Sequence, residues 1–361
     1  MSGHTPSSMG AGHGGHRPDA GRHELFNQQV EPFRVAEGSG AADLMRRLGG
    51  TAFQARTLAT AADIWRRALE DDVTIFFGLA GAMVPAGMRE LLVYLIEHRM
   101  VDCIVSTGAN LFHDVYETLG HPHWKHRPDT DDVALGKLRV NRFYDVLAPE
   151  NAFFGAEQFV TEFARTLEPD RPYTTREYLA LLGETLIPMA KSEGILTAAA
   201  RHGVPLYSPA LGDSVHGMAV ASARTHYGHR IIFDIIGDVM ETCAIATQAQ
   251  GTAVIYVGGG TPKNFIQQAE VASYIFDREL PGHRYGIQIT MDQPQWGGLS
   301  GCTFEEAQSW RKIAPDAHTV TVNVEATVAL PLIVSALADG AADSIRNRRV
   351  PQIRPESPFA R

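Results

Sequence analysis

The stretch 296–312, WGGLSGCTFEEAQSWRK, carries residue types that could perform amine chemistry. A threonine three residues before Glu306 fits a capping box, so the pattern predicts a helix that starts there and ends before Pro315. On this prediction Lys312 lies near the helix C-terminus, with Glu306 and Trp310 nearby. A lysine attacks imines only when deprotonated, whereas a helix C-terminus stabilises the ammonium. These residues alone therefore favour an ordinary helix-terminal lysine over a catalytic one.

A glycine run forms a second candidate site. Gly258, Gly259 and Gly260 follow an apolar run at 253–257 that is typical of a buried strand. Bare glycines let a ligand approach the backbone, and Pro262 suits the first turn of a helix whose N-terminus could bind phosphate. The spacing is not GxGxxG, so a plain tight turn remains the alternative to a nucleotide site.

Three further polar residues follow predicted strands. Asn110 is either a ligand for ribose or phosphate or the cap of the next helix. Asp213 is either an N-cap or a ligand for a ribose hydroxyl or an amine, and the Glu325 carboxylate could reach ribose hydroxyls. A shared ligand would require these loops to meet at one edge of a sheet.

The apolar pattern predicts the elements that would bring these loops together. Short apolar runs predict strands at 73–77, 101–105, 204–207, 231–236, 253–257, 284–289 and 318–324. Helical patterns cover 41–70, 88–95, 156–167, 174–201 and 328–337, and 121–152 indicates an insertion or a long loop. This alternation predicts an α/β fold with a mostly parallel sheet, helices on both faces and N-terminal helical additions. In such folds ligands bind at the carboxyl ends of the strands.

The domain organisation follows from composition. Residues 1–23 are rich in Gly, Ser, Pro and His, which favours a disordered tail over a metal-binding one, and we predict no metal site. We expect an N-terminal helical segment at 24–70, one catalytic domain at 71–340 and a C-terminal tail at 341–361.

Charge and cysteine content narrow the class of protein. The 32 Lys and Arg residues against 41 Asp and Glu give a net charge of −9, which argues against nucleic-acid or anionic-membrane binding. Cys103, Cys243 and Cys302 lack metal-ligand spacing and are typical of a reduced cytoplasmic protein. No apolar run approaches the roughly 18 residues of a membrane helix, so we expect no membrane partner.

From about residue 72 to 337 the chain resembles deoxyhypusine synthase, and more closely its bacterial deoxyhypusine-synthase-like branch. The resemblance is carried by VDCIVSTGANLFHD at 101–114, SPALGDS at 208–214, VGGGTPKNFIQQ at 257–268, SGCTFEEAQSWRKI at 300–313 and VEATVALPLIV at 324–334. It implies a Rossmann-like NAD-binding fold and a homotetramer whose active sites lie at subunit interfaces.

The resemblance also implies a chemistry for these residues. NAD takes a hydride from spermidine, 1,3-diaminopropane leaves, and the aminobutyl group is held as an imine on Lys312 before it passes to an acceptor amine. Trp310 corresponds to an aromatic wall beside the polyamine, and Glu306 to an acid that holds an ammonium. The implied cofactor-binding positions are Thr107, Gly108, Asp213, Gly258, Gly259, Gly260, Ser300 and Glu325.

The chain departs from the eukaryotic pattern at predicted substrate-binding positions. His113 stands where the family has the second of two glutamates, Asn264 replaces a polyamine-binding histidine, Gln268 replaces an asparagine, and Leu299 replaces an aspartate. The smaller number of carboxylates favours a small diamine such as putrescine as acceptor, which would give homospermidine. Transfer to a protein lysine, giving deoxyhypusine, is the first alternative. A net amine oxidoreductase and a non-catalytic amine binder are the others.

Overall fold

The computed structural model describes residues 26, 28–127 and 129–355. The predicted tail at 1–23 lies outside these residues. In chain order the strands are β1 (Thr74–Leu79), β2 (Cys103–Ser106), β3 (Trp124–Lys125), β4 (Val140–Phe143), β5 (Val146–Pro149), β6 (Pro172–Tyr173), β7 (Leu206–Tyr207), β8 (Ile232–Phe233), β9 (Thr252–Val257), β10 (His283–Ile289) and β11 (Ile313–Val322).

Helices lie between most of these strands. They are α1 (Ala41–Gly49), α2 (Phe53–Glu70), α3 (Arg89–Glu97), α4 (Gly108–Thr118), α5 (Asp132–Lys137), α6 (Glu150–Ala164), α7 (Thr175–Leu186), α8 (Ile195–His202), α9 (Val215–Tyr227), α10 (Ile235–Gln248), α11 (Gly260–Val271), α12 (Phe304–Ser309), α13 (Ala326–Gly340) and α14 (Ala342–Arg346). Among the residues that the structure covers, no helix is both long enough and apolar enough to cross a bilayer.

The central sheet has the order β11-β10-β9-β1-β2-β7, and each neighbouring pair is parallel. From β1 the chain proceeds through β2 to β7, and it then returns to the other side of β1 to add β9, β10 and β11. The strand order therefore reverses between β1 and β9, and in doubly wound sheets ligands bind at such a switch point. The predicted α/β class with a parallel sheet is confirmed.

Both faces of the sheet are covered because successive side chains of β1 point to opposite sides. Phe77 packs with Trp65 of α2 on one face, with the ring centroids 6.3 Å apart. Phe76 belongs to the cluster on the other face, which includes Ile245 of α10 and Ile266 of α11. The helical flanks predicted from the sequence are therefore present.

The predicted insertion at 121–152 folds into a small antiparallel sheet of order β3-β5-β4 together with α5. Two predictions beyond it are wrong. The strand at 231–236 reduces to β8, which pairs with β6 outside the central sheet, because the Asp234 carboxylate accepts from the Gly237 N–H at 2.7 Å and starts α10. The single helix at 174–201 is divided because Pro188 lies in a 3₁₀ turn after α7.

The ends of the described chain differ from the simple segments predicted. No helix covers 28–40, and the helical segment begins with α1. The predicted C-terminal tail instead forms α14 and then buries Arg348, whose guanidinium donates to the two Asp102 oxygens at 2.9 and 2.6 Å and to the Val73 carbonyl at 3.0 Å. This segment is thus anchored to the sheet where β1 and β2 begin.

Candidate active site

The helix before Lys312 is shorter than the sequence pattern predicts. Thr303 caps α12 because its hydroxyl accepts from the Glu306 N–H at 3.1 Å, which is one of the two hydrogen bonds of a capping box. The helix ends at Ser309, and Trp310 forms its C-cap. Only the start of the predicted helix is therefore confirmed.

The chain reverses direction immediately before Lys312. Arg311 adopts a left-handed φ of 59°, and the Lys312 N–H donates to the Ala307 carbonyl at 3.1 Å. The Lys312 carbonyl then accepts from the His283 N–H at 3.1 Å, which brings the chain into β11 beside β10. The prediction that Lys312 lies on the helix and that Pro315 ends it is wrong, because pairing with β10 places Pro315 within a strand.

The Lys312 side chain is 9% exposed and lies between a helix and an aromatic ring. Its Nζ is 3.4 Å from Asn264 Oδ1 on α11 and 5.5 Å from the ring centroid of Trp310. Burial lowers the pKa of Lys312, while Cys302 and Glu306 act in the opposite direction. The environment therefore favours a neutral amine more than a helix C-terminus would.

The glycine run lies at the switch point of the sheet. Gly258 and Gly260 have left-handed φ values of 70° and 57°, and Gly260 opens α11. A Cβ on Gly259 would lie 2.5 Å from the Ser300 Cα, so only glycine fits there. The Ser300 hydroxyl accepts from the Gly260 N–H at 3.1 Å. The structure thus brings these four predicted cofactor positions together.

The loop after β2 reaches the same edge of the sheet. The Thr107 N–H donates to the Leu79 carbonyl at 3.2 Å, and a Cβ on Gly108 would lie 2.5 Å from the Ser214 hydroxyl. Asn110 does not cap α4, whose N-cap is Thr107. The Asn110 amide oxygen accepts from the Val84 N–H at 3.3 Å and its amide nitrogen donates to the Thr107 hydroxyl at 3.3 Å, and its role as a ligand stays a prediction. Asn110 holds the segment that follows β1.

Two predicted acids lie in neighbouring loops. The Asp213 side chain is exposed after β7, and the N-cap of α9 is Ser214, so the N-cap alternative for Asp213 is wrong. Glu325 caps α13 by accepting from the Thr327 N–H at 2.9 Å. Glu325 also lines a cavity of about 930 Å³ beneath the small antiparallel sheet, together with Arg89 and His123. These acids therefore lie beside the carboxyl ends of β7 and β11.

Helix α11 connects the glycine run to the lysine. Asn264 lies four residues after Gly260, a rise of roughly 6 Å along the helix. Gln268 lies one turn further along the same face and is exposed. A ligand at the start of α11 would therefore lie roughly one helical turn from the side chain that contacts the Lys312 amine.

His113 lies in a different cluster. Its Nδ1 is 2.9 Å from His123 Nε2, and His123 Nδ1 is 2.7 Å from the Glu117 carboxylate, which pairs with Arg89 at 2.8 Å. Burial, and secondarily His123, lower the pKa of His113 to about 3, so the ring is neutral. Within the described part of the chain, no hydrogen bond or ring contact of His113 involves Lys312, Asn264 or Trp310. The role of His113 in substrate binding stays a prediction.

The sequence analysis did not single out Lys263, a buried lysine that precedes Asn264, the partner of Lys312. Lys263 is 1% exposed, and its Nζ donates to Gln288 Oε1 at 2.8 Å and to the Cys302 carbonyl at 2.5 Å. The Gln288 amide nitrogen donates in turn to the Gly258 and Ser300 carbonyls at 2.9 and 2.7 Å. A glutamine within the apolar run of β10 was the available signal, because a buried polar side chain needs partners.

Comparison with known proteins gives a consistent assignment. The deoxyhypusine synthase family model matches residues 43–337. A probable deoxyhypusine synthase 2 of Methanosarcina mazei is 45% identical over 318 residues, which cover 87% of this chain and 91% of the relative. A deoxyhypusine synthase-like protein of Elusimicrobium minutum is 34% identical over 311 residues, which cover 85% of this chain and 82% of that protein.

The fold is also similar to a crystal structure of an Entamoeba histolytica protein provisionally described as a deoxyhypusine synthase. The TM-score is 0.61 at 18% sequence identity, and the match covers 90% of this chain and 100% of the other. The resemblance inferred from the motifs is thereby confirmed: this chain belongs to the deoxyhypusine synthase family, a family of transferases.

Proposed function

We propose that this protein transfers the aminobutyl group of spermidine to an amine acceptor through an imine on Lys312, with NAD as a cofactor that is regenerated in each turnover. The observation that carries the proposal is the nearly buried Lys312 amine, held between Asn264 and the Trp310 ring. A desolvated lysine beside an aromatic face is suited to imine chemistry on a cationic substrate.

The residues at the switch point fit NAD. Gly259 and Gly108 lie where a Cβ would collide with the neighbouring loop, and the positive end of the α11 dipole lies at this edge of the sheet. The strand order is that of a Rossmann sheet, which supports the same assignment. Asp213 and Glu325 would hold ribose hydroxyls. When bound, NAD would accept a hydride from the donor amine and return it to the product, so the overall reaction is redox-neutral.

Lys312 performs the group transfer in this proposal. Its neutral Nζ adds to the C=N carbon of the dehydrogenated donor, and 1,3-diaminopropane leaves with a proton on the departing nitrogen. The aminobutyl carbon is then doubly bonded to Nζ. The acceptor amine adds to the same carbon and displaces Lys312. Glu306 and the Trp310 face would hold the distal ammonium by charge and by a cation–π contact.

Two observations favour different acceptors. The eukaryotic pattern has carboxylates where this chain has Leu299 and His113, and a histidine where this chain has Asn264. The loss of these groups favours a small diamine. We therefore take putrescine as the acceptor and homospermidine as the product. The names of the relatives favour a protein lysine, and deoxyhypusine formation is accordingly the second candidate function.

A product assay separates the two acceptors. Purified protein would be incubated with NAD and spermidine, and with either putrescine or a lysine-bearing acceptor protein, before chromatography of the amines. Homospermidine is the expected product. Labelling of the protein acceptor alone would establish the second candidate, and NADH accumulating in proportion to the amine consumed would indicate a net oxidoreductase.

The role of Lys312 is tested by trapping. Borohydride added during turnover should leave an aminobutyl adduct on Lys312, identified by peptide mass spectrometry, and Lys312→Arg should abolish adduct and product. Lys137→Arg is the matched control, because Lys137 lies exposed on α5 and should be dispensable. An unmodified Lys312 during proven turnover, or full activity in Lys312→Arg, would exclude the covalent role. Amine binding by the wild type without any product would favour a non-catalytic amine binder.

The proposed assembly is a homotetramer with interfacial sites, as the family resemblance implies. The Trp310 side chain is 64% exposed and Glu306 is also exposed, so one chain leaves this wall of the site open to solvent. A neighbouring subunit would enclose it. Light scattering of the purified protein should give the mass of four chains, and a monomer with full activity would contradict the proposed interface.

A further inference from the structure

Gln288 is a buried amide in the middle of the central sheet. It belongs to β10, which pairs with β9 on one side and with β11 on the other, and its side chain is 2% exposed. The adjacent residues Ile287 and Ile289 are apolar and buried. Because a buried amide costs free energy unless both of its ends are hydrogen-bonded, the partners of Gln288 indicate what this position holds in place.

Both ends of the Gln288 amide are hydrogen-bonded, and its partners allow one orientation only. Oε1 accepts from Lys263 Nζ at 2.8 Å, and Nε2 donates to the Gly258 and Ser300 carbonyls at 2.9 and 2.7 Å. The reverse orientation would set the amide oxygen against two carbonyl oxygens and the amide N–H groups against an ammonium. Lys263 therefore orients the amide so that it donates to both carbonyls.

The two carbonyls belong to the two loops of the candidate cofactor site. Gly258 follows β9 and begins the glycine run, and Ser300 lies in the turn before α12. Lys263 is attached to the same turn, because it donates to the Cys302 carbonyl at 2.5 Å, and the Ser300 hydroxyl accepts from the Gly260 N–H. Within the described part of the chain, no backbone–backbone hydrogen bond joins the two loops. Side chains therefore determine how these loops face each other.

We infer that Gln288 is a positioning residue for the cofactor, which holds the glycine run and the Ser300 turn at the separation that the proposed NAD site requires, and that Lys263 orients it. The inference rests on the proposed function, in which NAD lies at the edge of the sheet that these loops form. It assigns neither side chain a contact with NAD. Loops that are already in place bind a ligand more tightly, because binding does not have to order them.

Gln288→Glu is the direct test, because it keeps the shape of the side chain and an acceptor for Lys263 but removes the amide that donates to the two loops. The new carboxylate would repel the Gly258 and Ser300 carbonyls. NAD affinity, measured by calorimetry well below the thermal midpoint of the variant, should fall about tenfold or more, because binding then has to order both loops. The circular dichroism spectrum should stay that of the wild type.

Thr252→Val is the matched control for lost stability. Thr252 lies at the opposite end of β9, where its buried hydroxyl donates to the Glu270 carboxylate at 2.6 Å. Its loss should lower the thermal midpoint, because it takes a partner from a buried acceptor. NAD affinity should remain that of the wild type, since this end of the strand points away from the candidate site. A fall in affinity equal to that of Gln288→Glu would overturn the inference, because general stability would then control binding.

A second variant applies if Gln288→Glu does not fold. Lys263→Met keeps the glutamine but removes both the group that orients its amide and the link to the Cys302 carbonyl, so NAD affinity should again fall. Wild-type affinity in folded Gln288→Glu, or in folded Lys263→Met where the first variant is unfolded, would overturn the positioning role alone. A wild-type protein that binds no NAD would overturn the proposed cofactor together with it.

Discussion

At the scale of single residues, an amide oxygen faces the Lys312 amine at 3.4 Å, where a carboxylate would stabilise the ammonium. Asn264 can accept a hydrogen bond from the amine in either protonation state without favouring the charged form strongly. Burial then determines the direction of the pKa shift of Lys312, which is downward. The identity of residue 264 is therefore part of what makes the lysine reactive.

Asn264→Asp should raise the pKa of Lys312 and move its reactivity to higher pH. An opposite charge within 4–6 Å commonly shifts a pKa by about one unit or more, so adduct formation at pH 7 should fall about tenfold or more. Activity should recover as the pH rises toward 9, because the amine is then neutral again. The measurement is the pH profile of borohydride-trapped adduct.

Gln268→Glu is the matched control for this substitution. It adds a carboxylate one helical turn further along the same face, at an exposed position where water screens the charge. The midpoint of its pH profile should stay that of the wild type. The amount of adduct is not the readout, because Gln268 is itself a predicted substrate-binding position. Equal shifts in the two variants would mean that general charge, not the contact with Asn264, controls Lys312.

At the scale of elements, the sequence predicted the strands whose carboxyl ends form the candidate site and missed the path of the chain around the lysine. The sequence identifies β9 because its side chains are almost all apolar, and β10 because Tyr285, Ile287 and Ile289 alternate along it. It places Lys312 on a helix, since nothing local in the sequence shows that Arg311 turns left-handed or that His283 pairs with the next residue. The catalytic assignment of Lys312 came from the family motif, because burial is set by contacts distant in sequence.

Gly259→Ala should uncouple the glycine loop from the loop that contains Ser300. Its φ of −169° is accessible to alanine, so the expected effect is a collision of the new Cβ with the Ser300 Cα at 2.5 Å. NAD affinity, measured by calorimetry, should fall at least tenfold while the circular dichroism spectrum is retained.

Gly212→Ala provides the comparison, because a Cβ at Gly212 would meet no atom within 4 Å. It should bind NAD like the wild type. If Gly259→Ala bound NAD with unchanged affinity, the glycine run would be a plain tight turn, as the sequence alone allowed.

At the scale of the whole molecule, the C-terminal segment closes the fold over the edge of the sheet opposite the candidate site. Arg348 joins the end of the chain to Asp102 just before β2, across more than two hundred residues of sequence. Both side chains are buried, and Arg348 also donates to the Val73 carbonyl while Asp102 accepts from the Ile75 N–H. Sequence reasoning treated this segment as a tail, since a single arginine gives no local sign of a distant partner.

Arg348→Met should lower the free energy of unfolding by about 3 kcal/mol, because it removes the close partner of the buried Asp102 carboxylate and leaves only the Arg99 guanidinium, 3.7 Å away. Urea denaturation at fixed protein concentration measures this change. Arg349→Met removes a neighbouring, exposed partner of Asp72 and should stay within about 1 kcal/mol of the wild type. Equal losses of unfolding free energy in the two variants would show that the buried Arg348–Asp102 pair stabilises the fold no more than an exposed pair does.

The two outer strands of the central sheet limit how copies of this chain can associate. An unpaired strand edge can template a strand from another molecule. One edge here is β7, which is only two residues long. The other is β11, whose pairing with β10 is irregular near its start and which contains Pro315, a residue without an N–H to donate. Neither edge offers a long, regular ladder, so subunits should meet through helices and loops, and growth into β-aggregates by strand addition is disfavoured.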